Sequence, residues 1–180
     1  LEFRRVLFRS IALKPDGGYR MLQHNTQDLQ AIHEFFHPAS NKANAKVATN
    51  KRLGLRSHVY EVSFLNSNKN IEIITERLQE KYNNYCIGDN KSKWASQCRI
   101  FYSITFKNIY QNIDIRYYAD NGKLKYDFIV NEGGNPKQIA MIFDAVDDLK
   151  IKKGKLEITT PISTENHDKP YSYQPTFNGK

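Results

Sequence analysis

The chain has 180 residues, of which 27 are Lys or Arg and 19 Asp or Glu, giving a formal net charge of +8, with hydrophobic residues at 39% and only two cysteines. That length suits one folded unit with its own core; two cysteines cannot form a disulfide framework, and no apolar run is long enough to cross a bilayer. The basic excess is dispersed, with no dense Lys/Arg patch beside a stacking aromatic motif, so it reads as lysine on solvated strand faces and nucleic-acid binding is not expected.

Residues 1–10, LEFRRVLFRS, resemble the in-frame translation of a short-read sequencing adapter and are set aside as an artefact. Without Arg4, Arg5, Arg9 and Glu2 the chain keeps 24 basic and 18 acidic side chains, a charge of +6. Residues 11–180 are expected to form a single β-rich domain, truncated at both ends as a metagenomic fragment of a longer reading frame, with any signal peptide lying upstream.

In chain order, Ile11–Leu22 reads as a hairpin around Pro15-Asp16-Gly17-Gly18. Asn25-Thr26-Gln27-Asp28 caps a helix over about 26–37, with Leu29, Ile32 and Phe36 on one face and Pro38 closing it. Ala39–Asn50, rich in Asn, Lys, Ala and Ser, reads as an exposed loop. Val59–Leu65 alternates with period two, placing Tyr60, Val62 and Phe64 on one face. Ile71–Ile74, Phe101–Phe106, Ile113–Tyr118, Leu124–Val130 and Ile139–Phe143 follow as strands, and Leu149–Thr159 turns at Lys153-Gly154. The fold class is therefore mainly β: sandwich-like stacked antiparallel sheets with one short helix.

Asn121-Gly122 specifies a two-residue type I′ turn. That turn fixes a register in which Asp120 opposes Lys123, Tyr118 opposes Lys125 and Arg116 opposes Asp127. Ile113, Ile115 and Tyr117 then share a core face with Val130, Phe128 and Tyr126, and a slip of one residue would exchange the faces. The opposite face carries Asp114, Arg116 and Tyr118 against Ile129, Asp127 and Lys125. On it an Arg116–Asp127 contact of about 0.2–1 kcal/mol is expected.

The run Tyr82-Asn83-Asn84-Tyr85-Cys86-Ile87-Gly88 through Ser92-Lys93-Trp94 is followed by Phe106-Lys107-Asn108-Ile109-Tyr110, Ile113-Asp114 and Tyr117-Tyr118. Lys125-Tyr126-Asp127-Phe128, Gly133-Gly134-Asn135-Pro136, Ile139, Phe143, Gly154-Lys155-Leu156, Lys169-Pro170-Tyr171 and Tyr173-Gln174 complete the pattern. In this order they resemble the domain of unknown function that precedes SBBP (seven-bladed β-propeller type) repeats in surface proteins of Bacteroidota. The resemblance covers nearly all of 11–180 and is most specific over Tyr82–Val130. It implies a secreted or cell-surface protein, with repeats or immunoglobulin-like domains after this module and a type IX secretion sorting signal at its end. It carries no catalytic residues. Cys86 and Cys98 stand where ordinary apolar residues are expected; one bridge or two buried thiols are both open.

His33-Glu34-Phe35-Phe36-His37 matches H-E-x-x-H, in which two His one helical turn apart bind zinc and the Glu activates water. Pro38 cuts the helix short, and the third-ligand candidates, His58 and Glu61, begin a strand, so the string reads as a surface helix. Asp114 and Asp127 share the polar hairpin face with Arg116 and Lys125 and read as ionised, paired, solvated charges instead of an acid/base pair. Trp94, the only tryptophan, could stack on a sugar, as could Tyr110, Tyr117, Tyr118 or Tyr173 if exposed; burial as a plug pinning its loop to the sheet is the favoured reading. The expected function is a non-catalytic structural or interaction module, extracellular or on the outer cell surface, needing no cofactor. Its partners are downstream repeats of the same polypeptide, and a glycan or surface protein. A carbohydrate-binding or adhesion module, with Asp114, Arg116, Tyr118, Asp127 and Trp94 as ligand residues, is the alternative. A zinc peptidase using His33 and His37 is the third.

Overall fold

The computed structural model describes residues 9–36, 53–86, 88–121 and 123–174. Their strands are β1 (Arg9–Leu13), β2 (Tyr19–His24), β3 (Ser57–Phe64), β4 (Glu72–Tyr85), β5 (Ala95–Tyr110), β6 (Ile113–Asp120), β7 (Lys123–Val130), β8 (Met141–Asp144), β9 (Asp148–Lys152), β10 (Lys155–Thr160) and β11 (Ser163–His167), with one α-helix, α1 (Thr26–Phe36). They form three antiparallel sheets ordered β1-β2-β3-β8, β4-β5-β6-β7 and β11-β10-β9, without a closed barrel, as the alternating pattern predicts. The described chain divides into two compact units: 9–23 with 59–144, and 24–36, 53–58 and 145–174.

The first unit is a sandwich of the two four-stranded sheets. Tyr60, Val62 and Phe64 are buried as their alternation requires, together with Tyr19 and Met21 of β2. Across from them lie Phe106, Ile113, Ile115 and Tyr117, also buried. Aromatic edges meet between the layers: Tyr19 and Tyr117 at 6.4 Å and Phe64 and Phe128 at 5.7 Å between ring centroids, the offset geometry that ring quadrupoles favour. The β6–β7 register is the one set by Asn-Gly, with Asp120↔Lys123, Tyr118↔Lys125 and Arg116↔Asp127. Asn121 sits at φ +49°, as a type I′ turn demands.

Gly17 and Gly18 join β1 to β2 where no side chain fits. A Cβ on Gly18 would lie 2.3 Å from the Val62 carbonyl oxygen, and one on Gly17, at φ +81°, 2.8 Å from Ile109 Cδ1. Ile109 reaches that position because β5 bulges: its register with β6 shifts between Phe106 and Tyr110, with Asn108 at φ +54°. The extra residue lets consecutive side chains, Ile109 and Tyr110, both turn inward.

In the second unit, Asn25 caps α1, its side-chain oxygen accepting from the N–H groups of Gln27 and Asp28 at 3.1 Å. Arg56 grips Asp28 through Nε at 2.8 Å, Nη2 at 2.9 Å and its backbone N–H at 2.9 Å. These bonds hold the Asp28 carboxyl down at about 2. Leu29 and Ile32 are half-buried, while Phe36, placed by spacing on the same apolar face, is exposed. His37, Pro38 and the expected loop Ala39–Asn50 lie outside the described residues. The three-stranded sheet turns at Lys153 (φ +50°) and Gly154 (φ +78°), a type I′ turn where the sequence places it.

Candidate functional site

The structure brings Asp114, Arg116, Tyr118 and Asp127 onto the outer face of β6–β7, away from the core. Their pairing differs from the expectation. Arg116 turns from Asp127 to β4, where its Nη2 lies 3.2 Å from Glu76 Oε2, and its guanidinium carbon lies 5.9 Å from the Tyr118 ring centroid. Glu76 also accepts from the Ser103 hydroxyl at 2.6 Å. Asp127 instead accepts from the Tyr118 hydroxyl at 3.3 Å. Burial and the Asp127 charge together raise the Tyr118 phenol above its ordinary value. Arg116 Nε is buried with no hydrogen-bond partner.

Asp114 corrects the reading of a solvated charge: it is 1% exposed. Its carboxylate accepts from Lys107 Nζ, from the Asn108 N–H at 2.8 Å and from Asn131 Nδ2 at 3.3 Å. Burial opposes its ionisation, and the hydrogen bonds from Lys107, Asn108 and Asn131 outweigh burial, so its pKa is lowered. With its oxygens taken by three donors around the β5 bulge, Asp114 is a clamp on backbone geometry and leaves no base facing a substrate.

The aromatic candidates divide. Tyr110 and Tyr117 are buried, so the exposure that stacking on a ligand requires is not met, and Tyr117 lies on the core face where the hairpin register puts it. Their hydroxyls instead tie the layers: Tyr117 donates to the Gly17 carbonyl at 2.7 Å and Tyr110 to that of Leu65 at 2.9 Å. Tyr173 is exposed and stacks on Tyr171 at 6.1 Å. Trp94 pins its loop, the indole N–H donating to the Gly88 carbonyl at 3.0 Å, yet it stays 39% exposed with Lys91 Nζ 5.8 Å from the ring centroid. It is a clasp within the turn and is not buried against the sheet.

The zinc string is not completed by its candidate third ligands. His58 Nε2 lies 2.6 Å from the Ala145 carbonyl oxygen, so that nitrogen carries the proton and offers no lone pair. Glu61 is held by Lys14 and Arg20, whose hydrogen bonds lower its pKa. His33 lies on α1, and His37 falls outside the described residues. Among the described residues no group of three or more His, Cys, Asp or Glu side chains could hold a metal ion. Cys86 is an exposed free thiol and Cys98 a half-buried one, so neither the bridge nor a pair of buried thiols is present.

A surface feature escaped the sequence reading. The β5–β6 ladder begins only at Ser103↔Tyr118, whereas β4 and β5 pair as far as Tyr85↔Ala95. Among the described residues the hairpin beyond Ser103 is a two-stranded ribbon. Leu78 opposes Phe101 and Tyr82 opposes Arg99; partners across a ladder share a face, and β5 alternation puts Phe101 and Arg99 on the side of Ser103. Leu78 (55% exposed) and Tyr82 (57%) therefore extend the outer face that carries Arg116. On the ribbon's other side Arg77 packs over Tyr102 at 5.2 Å.

This arrangement defines a β-sandwich module that exposes Leu78 and Tyr82 on a two-stranded extension of its outer face. Residues 8–180 match the family described as a domain of unknown function, DUF7948, and the chain belongs to that family. Neither a curated protein nor a solved structure matches it significantly.

Proposed function

We infer that the chain is a non-catalytic structural and interaction module of a large secreted bacterial surface protein, docking through the β4–β5 ribbon onto repeats that follow it in the same polypeptide. The observation that carries this reading is the ribbon. A hairpin without further strands is marginally stable in water, yet this one continues past its sheet and exposes Leu78 and Tyr82 on one face. Large apolar side chains on such an extension gain stability when a second surface covers them. The resemblance of Tyr82–Val130 to the module preceding SBBP repeats in Bacteroidota supports the extracellular setting and supplies the partner.

Hydrogen exchange at amides 78–102 tests it, with the chain alone and joined to the segment that follows it in its reading frame. Docking slows ribbon exchange by roughly tenfold or more, and a Leu78→Ser, Tyr82→Ser double variant abolishes the slowing without moving the denaturation midpoint of the isolated chain. Unchanged ribbon exchange overturns the docking. Stoichiometric zinc that is lost in His37→Ala, together with peptide cleavage, overturns the non-catalytic assignment.

A further inference from the structure

We propose that an open cavity at one end of the sandwich binds an acidic sugar, a hydroxyl-rich ring bearing one carboxylate. The cavity, of about 480 Å³, is lined by Asn66, Asn68, Gln111, Lys137 and Gln138, with Leu65, Tyr110 and Ala140 as its apolar part. That volume lies within the range of small-ligand sites, and loops at the end of a rigid sandwich are where such scaffolds place recognition residues.

Its walls come from three loops that the backbone holds in place. Tyr110, a buried residue, donates its hydroxyl to the Leu65 carbonyl at 2.9 Å, and that hydroxyl lies 3.3 Å from the carbonyl of Ala140. The Leu65 N–H donates to the Ala140 carbonyl at 2.9 Å, directly joining the loop after β3 to the loop before β8. The Asn68 N–H donates to the Ile109 carbonyl at 2.9 Å, and Asn68 Nδ2 to that of Asn108. Asn135 caps the turn that presents Lys137 and Gln138, accepting from the Lys137 N–H at 3.1 Å. The frame is thus ordered before any ligand arrives, which removes part of the entropic cost of binding.

The side chains on that frame remain available. The side chains of Asn66, Gln111, Lys137 and Gln138 make no hydrogen bond or ion pair among the described residues. Carboxamides donate and accept at once, which matches the hydroxyls of a sugar. Among the described residues Lys137 is the only charged one in the lining, and the lining holds no carboxylate. A neutral sugar would leave that ammonium unmatched; a uronate carboxylate pairs with it in a charge-assisted bond. The site shares no residue with the ribbon and stands or falls independently of it.

Backbone amide NMR titration with methyl β-D-glucuronide, methyl β-D-glucoside and acetate decides the question, since the two glycosides differ only in a carboxylate against a hydroxymethyl. The expected result is shifts confined to 65–68, 110–111 and 137–140. The glucuronide should bind roughly tenfold more tightly than either control, the effect of one charge-assisted hydrogen bond. Lys137→Gln should bring the glucuronide down to the glucoside, and Gln111→Ala should weaken both glycosides while acetate is unchanged. The substituted residues are exposed, and an otherwise superimposable amide spectrum confirms that both variants fold. The proposal is overturned by equal affinity for both glycosides, by acetate matching the glucuronide, by shifts centred elsewhere, or by none up to roughly 50 mM.

Discussion

Removing one oxygen atom from the centre of the sandwich, by Tyr117→Phe, should expose how strongly the two layers depend on a single hydrogen bond. The Tyr117 hydroxyl donates to the Gly17 carbonyl at 2.7 Å, joining residues 100 apart in sequence, and the side chain is fully buried. Phe keeps the ring among Tyr19, Phe106 and Tyr126, whose centroids lie at 6.4, 5.9 and 5.9 Å, so no large cavity opens. What is lost is a donor to a buried carbonyl, which costs about 1–3 kcal/mol. Urea denaturation followed by far-UV circular dichroism should show a lower midpoint with an unchanged slope. The penalty should also depend on pH. Burial, reinforced by the neighbouring tyrosines, pushes the Tyr117 phenol far above its ordinary value of 10.0, so the folded state keeps the proton while the unfolded chain releases it. Stability from this group is complete below pH 10 and is lost as pH rises further, by about 1.4 kcal/mol at pH 11. The phenylalanine variant lacks that loss, so the gap between the proteins should narrow by this amount from pH 8 to 11. A difference below about 0.5 kcal/mol at pH 8, or a gap that stays constant with pH, would refute the reasoning.

Gly18→Ala places a Cβ 2.3 Å from the Val62 carbonyl oxygen; because the clash is with backbone, the cost should reach or exceed the upper end of about 1–3 kcal/mol, read from the same denaturation curves. Asn112→Val puts a β-branched residue at φ +57° in the β5–β6 turn and should lower stability by about 1–2 kcal/mol, whereas Asn112→Gly should not. Asp28 titrates near 2 in the fold, chiefly through its hydrogen bonds to Arg56, against an ordinary value of 3.8. Its anchoring of α1 is therefore complete above about pH 4 and fades toward pH 2, and helix amide protection should follow that course, with Arg56→Ala weakening protection already at neutral pH.

The β6–β7 hairpin was legible because two signals agreed: a turn dipeptide that demands positive φ, and alternation that permits one register. Where only one face is buried, period two survives in the sequence, as at Tyr60, Val62 and Phe64. The ribbon half of β4 has solvent on both sides, so Glu76–Tyr85 shows no alternation and reads as a polar stretch although it is strand throughout. That omission hid Glu76, and with it the partner that draws Arg116 away from Asp127. β11, with the sequence STENH, was missed for lack of apolar residues. Asp114 misled because its register position is on the outer face; the β5 bulge that buries it comes from Asn108, whose positive φ has no clear signature in a strand run. The cavity residues come from loops after β3, β5 and β7, and nothing local marks them as neighbours.

How the sandwich guards its edges bears on how it recognises anything. Sheet edges offer unpaired backbone groups to any passing strand. In the larger sheet one edge, β4, is broken by register shifts between Leu78 and Tyr82 and again between Asn83 and Tyr85, with Arg77 at φ +52°. An incoming strand would find no continuous ladder there. The other edge, β7, carries Lys123, Lys125 and Asp127, and β8, an edge of the second sheet, is only four residues long. Each is a known device against edge pairing. These three edges are poor templates for an added strand, and the faces and loop ends differ in chemistry: the ribbon offers Leu78 and Tyr82, the cavity offers carboxamides and one lysine. Under the proposed docking an apolar partner surface is met by Leu78 and Tyr82, whereas the proposed sugar carboxylate is met by Lys137. Under these two proposals one surface of the module holds its neighbour in the polypeptide while the other stays open to a soluble ligand.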